Sequence, residues 1–139
     1  MMPKGYEYFE HPSDIRIQCT GITVNELFEN AAKAIYDLMI EKTATGEEVE
    51  KQIDLKADSL QDLFFEWVSE VIFYAHAYKI FFYKFYYLKL TEKQLLVNAF
   101  GVKVSKDIKL KGEVKAITYH DFYIKKQENY WLANFIVDV

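Results

Sequence analysis

Three short polar clusters stand in otherwise apolar or aromatic surroundings, and each holds groups that could bind a cation or move a proton. The last is Ile136-Val137-Asp138-Val139, an acid in a β-patterned run beside the final residue. If Val139 carries a free α-carboxylate at the end of a folded strand, two oxygen anions lie within about one residue's rise, ~3.3 Å. They repel unless a cation or a positive side chain joins them. The first cluster, His11-Pro12-Ser13-Asp14, separates the aromatic Tyr6-Glu7-Tyr8-Phe9 from the alternating Ile15-Arg16-Ile17-Gln18-Cys19. The remaining one, Glu113-Val114-Lys115-Ala116-Ile117-Thr118-Tyr119-His120, brings an acid, an amine and an imidazole into one short stretch.

Each cluster alone has a plain structural reading. An Asp after Pro-Ser ordinarily builds an Asx turn or starts a strand, and Asp138, alternating with Ile136, Asn134 and Leu132, reads as a solvent-facing edge acid. A histidine at a strand end is more often hydrogen-bonded than ligating. A metal-dependent hydrolase would need a base beside the attacking water, and Glu113, His11 or His120 could serve. The sequence has no Ser/His/Asp signature, no H-E-x-x-H and no phosphate-cradling loop, its five glycines being scattered. A non-catalytic accessory protein is the better reading.

Composition narrows the partners. With 139 residues, 51% hydrophobic and 17% aromatic, the chain can bury one sizeable core, and residues 1–139 are expected to form a single domain. The formal charge of −4, from 21 acids against 17 bases, argues against a broad grip on nucleic-acid backbone. A basic protein partner or a bound cation fits better. Lys103, Lys106, Lys109, Lys111 and Lys115 form a local basic stretch that reads as a solvated face. The lone Cys19 cannot staple the fold and shares the inward phase of Ile15 and Ile17, as a buried structural thiol would. No signal-peptide core and no long uncharged apolar run occurs, so the expectations are no membrane association and a cytoplasmic location.

Two helices and a series of strands must position these clusters. Thr23-Val24-Asn25-Glu26 has the capping-box form, and Val24, Leu27, Phe28, Ala31, Ile35 and Leu38 recur at helical spacing, predicting a helix from Val24 to about Ile40. Ser59 opens a second helix to about Ala77, apolar enough to be central. Elsewhere the period is two: a short strand at Ile53 and Leu55, a long aromatic one from Phe81 to Leu90, and another from Leu95 to Gly101 across a turn at Thr91–Gln94. Val114–Tyr119, Phe122–Lys126 and Trp131–Val139 complete the set. Strands in unbroken succession imply antiparallel pairing, hence an α+β domain: one mainly antiparallel or mixed sheet with two principal helices packed on it. The aromatics between Phe81 and Tyr87 cannot all face one core, so one face is an interface or the sheet is covered on both sides.

The H-x-x-D after an aromatic strand, then N-E-L-F-E-N-A-A, E-V-K-A-I-T-Y-H and a final I-V-D-V, in this order over nearly the whole length, resemble the archease family. The resemblance implies a metal, calcium, held by Asp14, Asp138 and Val139; oxygen-only ligation suits Ca²⁺, Mg²⁺ or another hard divalent cation rather than zinc. It implies that His11, Lys115 and His120 contribute to activating a partner, with Lys115 balancing the charge the three carboxylates leave over. That partner would be the RtcB-type tRNA-splicing RNA ligase, whose guanylylation and repeated turnover archeases promote. Chaperone-like modulation of a tRNA methyltransferase is the alternative. Two positions depart from the family pattern: His76 stands in a stretch where relatives are acidic, and Val102 follows Gly101 where relatives have Glu.

Overall fold

The structure, a computed structural model, describes residues 5–10 and 13–139. In chain order the elements are β1 (Tyr6–Glu10), β2 (Asp14–Gly21), α1 (Val24–Met39), β3 (Glu47–Lys56), α2 (Leu60–Tyr78), β4 (Ile80–Leu90), β5 (Gln94–Lys103), β6 (Ala116–Lys126) and β7 (Trp131–Asp138). The helices begin where hydroxyl caps place them. Thr23 Oγ1 accepts from the Glu26 amide and Ser59 Oγ from the Asp62 amide, both at 3.1 Å, satisfying donors that the first turn would leave open.

Every strand pairing is antiparallel, as the succession of strands requires, but the strands divide into two sheets. One has four strands in the order β1-β2-β7-β6, the other three in the order β3-β5-β4. The helices pack against both. Phe64 of α2 meets Phe122 of β6 and Phe135 of β7, while Trp67, one turn on, stacks on Phe28 of α1 and meets Phe85 of β4 edge-on. A helix touched from both sides must be apolar over most of its circumference. That is why α2 buries Leu63, Phe64, Trp67, Val68, Val71, Ile72 and Ala75. The aromatic run of β4 is resolved the same way, with Phe81, Phe82 and Phe85 turned to the helices and Tyr83 and Tyr86 left on the outer face.

Two stretches differ from the pattern read in the sequence. The strand containing Ile53 and Leu55 is ten residues long, because its exposed positions are acids, lysines and a glutamine that carry no apolar signal. The expected strands Val114–Tyr119 and Phe122–Lys126 are one strand, β6, whose pairing with β7 slips between Thr118 and Tyr123. Within that irregularity Asp121 adopts a left-handed backbone (φ 53°), a conformation that Asp tolerates better than most residues. Val114 stays outside β6: it is fully buried, and its carbonyl accepts from the Nε2–H of His76 rather than from the ladder.

Trp67 is fully buried and donates its indole N–H to the Phe28 carbonyl at 2.8 Å, so it joins the two helices to each other and, through Phe85, to the three-stranded sheet. Trp67→Ala should lower the unfolding free energy by about 3–5 kcal/mol, the range for removing a buried aromatic. Urea denaturation checks this, and an unchanged midpoint would place Trp67 outside the core.

Candidate functional site

The β2–β7 ladder sets the site. Ile15, Ile17 and Cys19 pair with Val137, Phe135 and Ala133 on the face against the helices. Period-two alternation turns the intervening residues to the other face, where Asp14 lies directly opposite Asp138, Arg16 opposite Ile136 and Gln18 opposite Asn134. Directly opposed residues of an antiparallel pair have Cβ atoms about 4.5–5.5 Å apart, and like charges there repel. Asp14 is half-buried and Asp138 exposed, and among the described residues neither has an ion-pair partner.

The third cluster arrives through β6. The Lys115 amide donates to the Asp138 carbonyl at 2.8 Å, Ala116 pairs with Asp138, and the Val139 amide donates to the Ser13 carbonyl at 3.3 Å. Asp14, Asp138, Val139 and Lys115 are therefore brought to one end of the four-stranded sheet. The His76 bond to Val114 pins the segment just before Lys115, giving that histidine a positioning role at the helix end.

His120 is not part of this group. It lies four residues beyond Ala116, roughly 13 Å along a strand, in the irregular part of β6, and pairs with Asp121 at 3.3 Å. His11 lies outside the described residues. Glu113 and the five lysines of the basic stretch are all exposed, as a solvated face requires. Among the described residues no three or more His, Cys, Asp and Glu side chains converge on one point. The acid pair thus offers two carboxylates, with backbone oxygens of Ser13 and Val139 nearby.

A polar network beside the acid pair is invisible to motif reading. Asn134 is 2% exposed although it lies on the outer face, and its Oδ1 accepts from Arg16 at 3.1 Å and from Gln18 at 3.2 Å. Its Nδ2 donates to the Asp121 carbonyl at 2.9 Å, tying down the left-handed residue of β6. Arg16 also lies over the Phe9 ring, 4.0 Å from its centroid. The guanidinium two residues from Asp14 is therefore committed to Asn134 and Phe9, and it forms no ion pair with either acid. The one signal in the sequence was a carboxamide inside the apolar run of β7. Thr118 Oγ1, across from Ile136, is the buried side-chain polar atom without a hydrogen-bond partner among the described residues.

Away from this face, burial pushes the Cys19 thiol well above its ordinary pKa, so it is suited to packing and not to nucleophilic attack. The Tyr6 hydroxyl, which donates to Asp37, is pushed up to about 12, first by burial and then by that hydrogen bond.

Asn134→Ala should cost about 1–3 kcal/mol, because it strands partners that are partly buried. It should also speed amide exchange at His120 and Asp121 while leaving exchange in α1 unchanged. Native-state hydrogen exchange reads both, and unaltered protection at Asp121 would mean that Asn134 does not hold the irregular segment.

Residues 6–139 match the sequence model of the Archease protein family. The protein archease of Sulfurisphaera tokodaii is 31% identical over 137 residues, covering 96% of this chain and 98% of that protein. That of Methanosarcina barkeri is 32% identical over 141 residues, covering 98% and 97%. Among solved structures, Methanobacterium thermoautotrophicum protein 1598 superposes with a TM-score of 0.76 at 27% identity, over 99% of this chain and 100% of that one. An archease from Thermotoga maritima, described as a possible chaperone, superposes with a TM-score of 0.66 at 24% identity, over 100% and 98%, a likeness of fold alone.

Proposed function

The chain belongs to the archease family, and from that premise we propose that it is a non-catalytic accessory protein, one that activates an RtcB-type tRNA-splicing RNA ligase through the end of the sheet where Asp14 meets Asp138. The observation that carries this reading is the acid pair itself: two carboxylates set opposite each other with no described cation within ion-pair distance. Opposed like charges are destabilising, so their placement is best understood as a site that a cation completes.

The donor set fits a hard divalent ion. Asp14 and Asp138 supply carboxylate oxygens, Val139 backbone oxygen, and no described residue on this face supplies sulfur. These residues would hold Ca²⁺, with Mg²⁺ the nearest alternative, and the bound ion would supply positive charge for contact with phosphate oxygens. The remaining work falls to the protein's own residues. Lys115, exposed and tied to Asp138 through its backbone, offers an ammonium donor to a phosphate or a carboxylate of the partner. Charge placed against a nucleotide's phosphates is where guanylyl transfer gains most. The excess of acids steers this end of the molecule toward a cationic cleft.

A second reading is chaperone-like modulation of a tRNA methyltransferase, of which the description of the Thermotoga relative shares only the words possible chaperone. A ligation time course with RNA in excess over ligase separates the two. Product should stop near one equivalent without this protein and continue with it. An unchanged course, with improved solubility or altered site choice of the methyltransferase instead, would favour the second reading.

Asp14→Ala and Asp138→Ala should each weaken calcium binding by at least ~100-fold, since affinity at all-oxygen sites follows ligand charge. In metal-free buffer each should raise the unfolding free energy by about 0.2–1 kcal/mol, because a like-charge pair is relieved. Calorimetric titration and thermal melts read the two effects, and calcium affinity retained in both variants would remove the site.

Lys115 offers three donors and no acceptor, so it cannot ligate the ion. Lys115→Ala should leave calcium affinity within about twofold while slowing ligase guanylylation roughly tenfold or more, the scale of one lost charged contact. Lys115→Arg should restore only part of the rate, because a planar fork does not replace a compact point charge. Wild-type guanylylation by Lys115→Ala would mean the lysine has no part in activation.

A further inference from the structure

The outer face of the three-stranded sheet carries charge in two separate columns. β3 turns Glu48, Glu50 and Asp54 outward, with Lys56 at the end of the same column, and β4 turns Lys84 and Lys89 outward. Between them β5 presents Leu96 and Phe100, both half-buried and separated by Asn98, whose Oδ1 accepts from Gln52 at 3.2 Å. Strand pairing places these residues in level rows: Glu50, Phe100 and Lys84 share one, and Asp54, Leu96 and Lys89 share another. Within one chain the acid and the lysine of a row are two strand spacings apart, about 9.6 Å, and no described ion pair joins them. Exposed aromatics border the apolar column. Tyr86, 52% exposed, meets Phe100 edge-on, and the equally exposed Tyr83 donates to Glu48 at 2.6 Å.

We propose that this face binds a second copy of the chain about a two-fold axis running along β5. That operation carries β3 of one copy over β4 of the other and keeps the rows level. Glu50 then meets Lys84 of the second copy and Asp54 meets Lys89, each twice by symmetry, while Phe100 and Leu96 meet their own counterparts. A two-fold axis across the strands would instead stack acids on acids, so the charge pattern selects one dimer. The footprint, three strands by ten residues, is roughly 14 Å by 33 Å on each copy. That lies at the low end of specific interfaces, so the dimer is concentration- and salt-dependent. Nucleic acid fits this face less well, because three acids offset its three lysines, Lys56, Lys84 and Lys89. The acid pair of β2 and β7 lies in the other sheet, and the dimer stands independently of the proposed ligase role.

Sedimentation velocity of the full chain over a concentration series at low salt tests the proposal through a charge exchange. The wild type should approach twice 16.5 kDa as concentration rises, and added salt should reverse this. The double variants Lys84→Glu with Lys89→Glu, and Glu50→Lys with Asp54→Lys, should each dissociate at least about 100-fold more readily, because like charges then face each other. An equimolar mixture of the two should associate again, since every reversed column then meets its complement. If either double variant loses its far-UV circular dichroism, Lys84→Gln with Lys89→Gln replaces it, with weaker, less salt-sensitive association expected. A wild type that is monomeric throughout, a dimer indifferent to these substitutions, or folded variants that stay monomeric when mixed would each overturn the proposal.

Discussion

The register of β2 against β7 is the constraint on which the rest depends. Because side chains alternate with a period of two, pairing Ile17 with Phe135 puts Ile15, Cys19, Ala133 and Val137 in the core and turns Asp14 and Asp138 to the other face, opposite each other. A slip of one residue would bury the acids and expose the core. The hydrophobic demand of the helical layer thus holds two like charges together, which neither aspartate could achieve by its own interactions. Stability is supplied on one face of the ladder and spent in small part on the other, where the proposed function lies.

The helices between the sheets make this possible. Trp67 and Phe64 on α2 reach opposite sheets one turn apart, and α1 packs against β2 with Leu27, Phe28, Ala31, Ile35 and Met39 fully buried. Each sheet therefore has one face committed to the core and one open to solvent. On the four-stranded sheet the open face is organised by Asn134, which holds Arg16 and the Asp121 carbonyl and leaves the acid pair uncompensated. On the three-stranded sheet it is organised by the two charged columns that flank β5.

Local features were legible in the sequence wherever one stretch of chain carries the whole signal. Thr23 and Ser59 mark helix starts because a hydroxyl cap acts within three residues, and the composition of α2 announces a helix contacted from several sides. The order of blocks identified the family and made Asp14 and Asp138 the acids expected to bind a cation. Strand partners were not legible: alternation shows that β2 and β7 are strands, but only the fold shows that opposite ends of the chain pair residue by residue. The division into two sheets was hidden for the same reason. The irregularity in β6 depends on one backbone angle at Asp121 and one carboxamide from β7, neither of which leaves a periodic trace. His76 reads as a departure from the family pattern, yet it holds the segment before Lys115 by a bond to a carbonyl distant in sequence.

The central claim, that the β2–β7 register assembles a cation site at one end of the sheet, is tested most directly by titrating the metal-free protein with calcium while following backbone amide chemical shifts. Saturable changes are predicted at Ser13 to Ile15, at Lys115 and Ala116, and at Val137 to Val139, with the three-stranded sheet unaffected. Shifts confined to the acidic column of β3, or none that saturate, would contradict it.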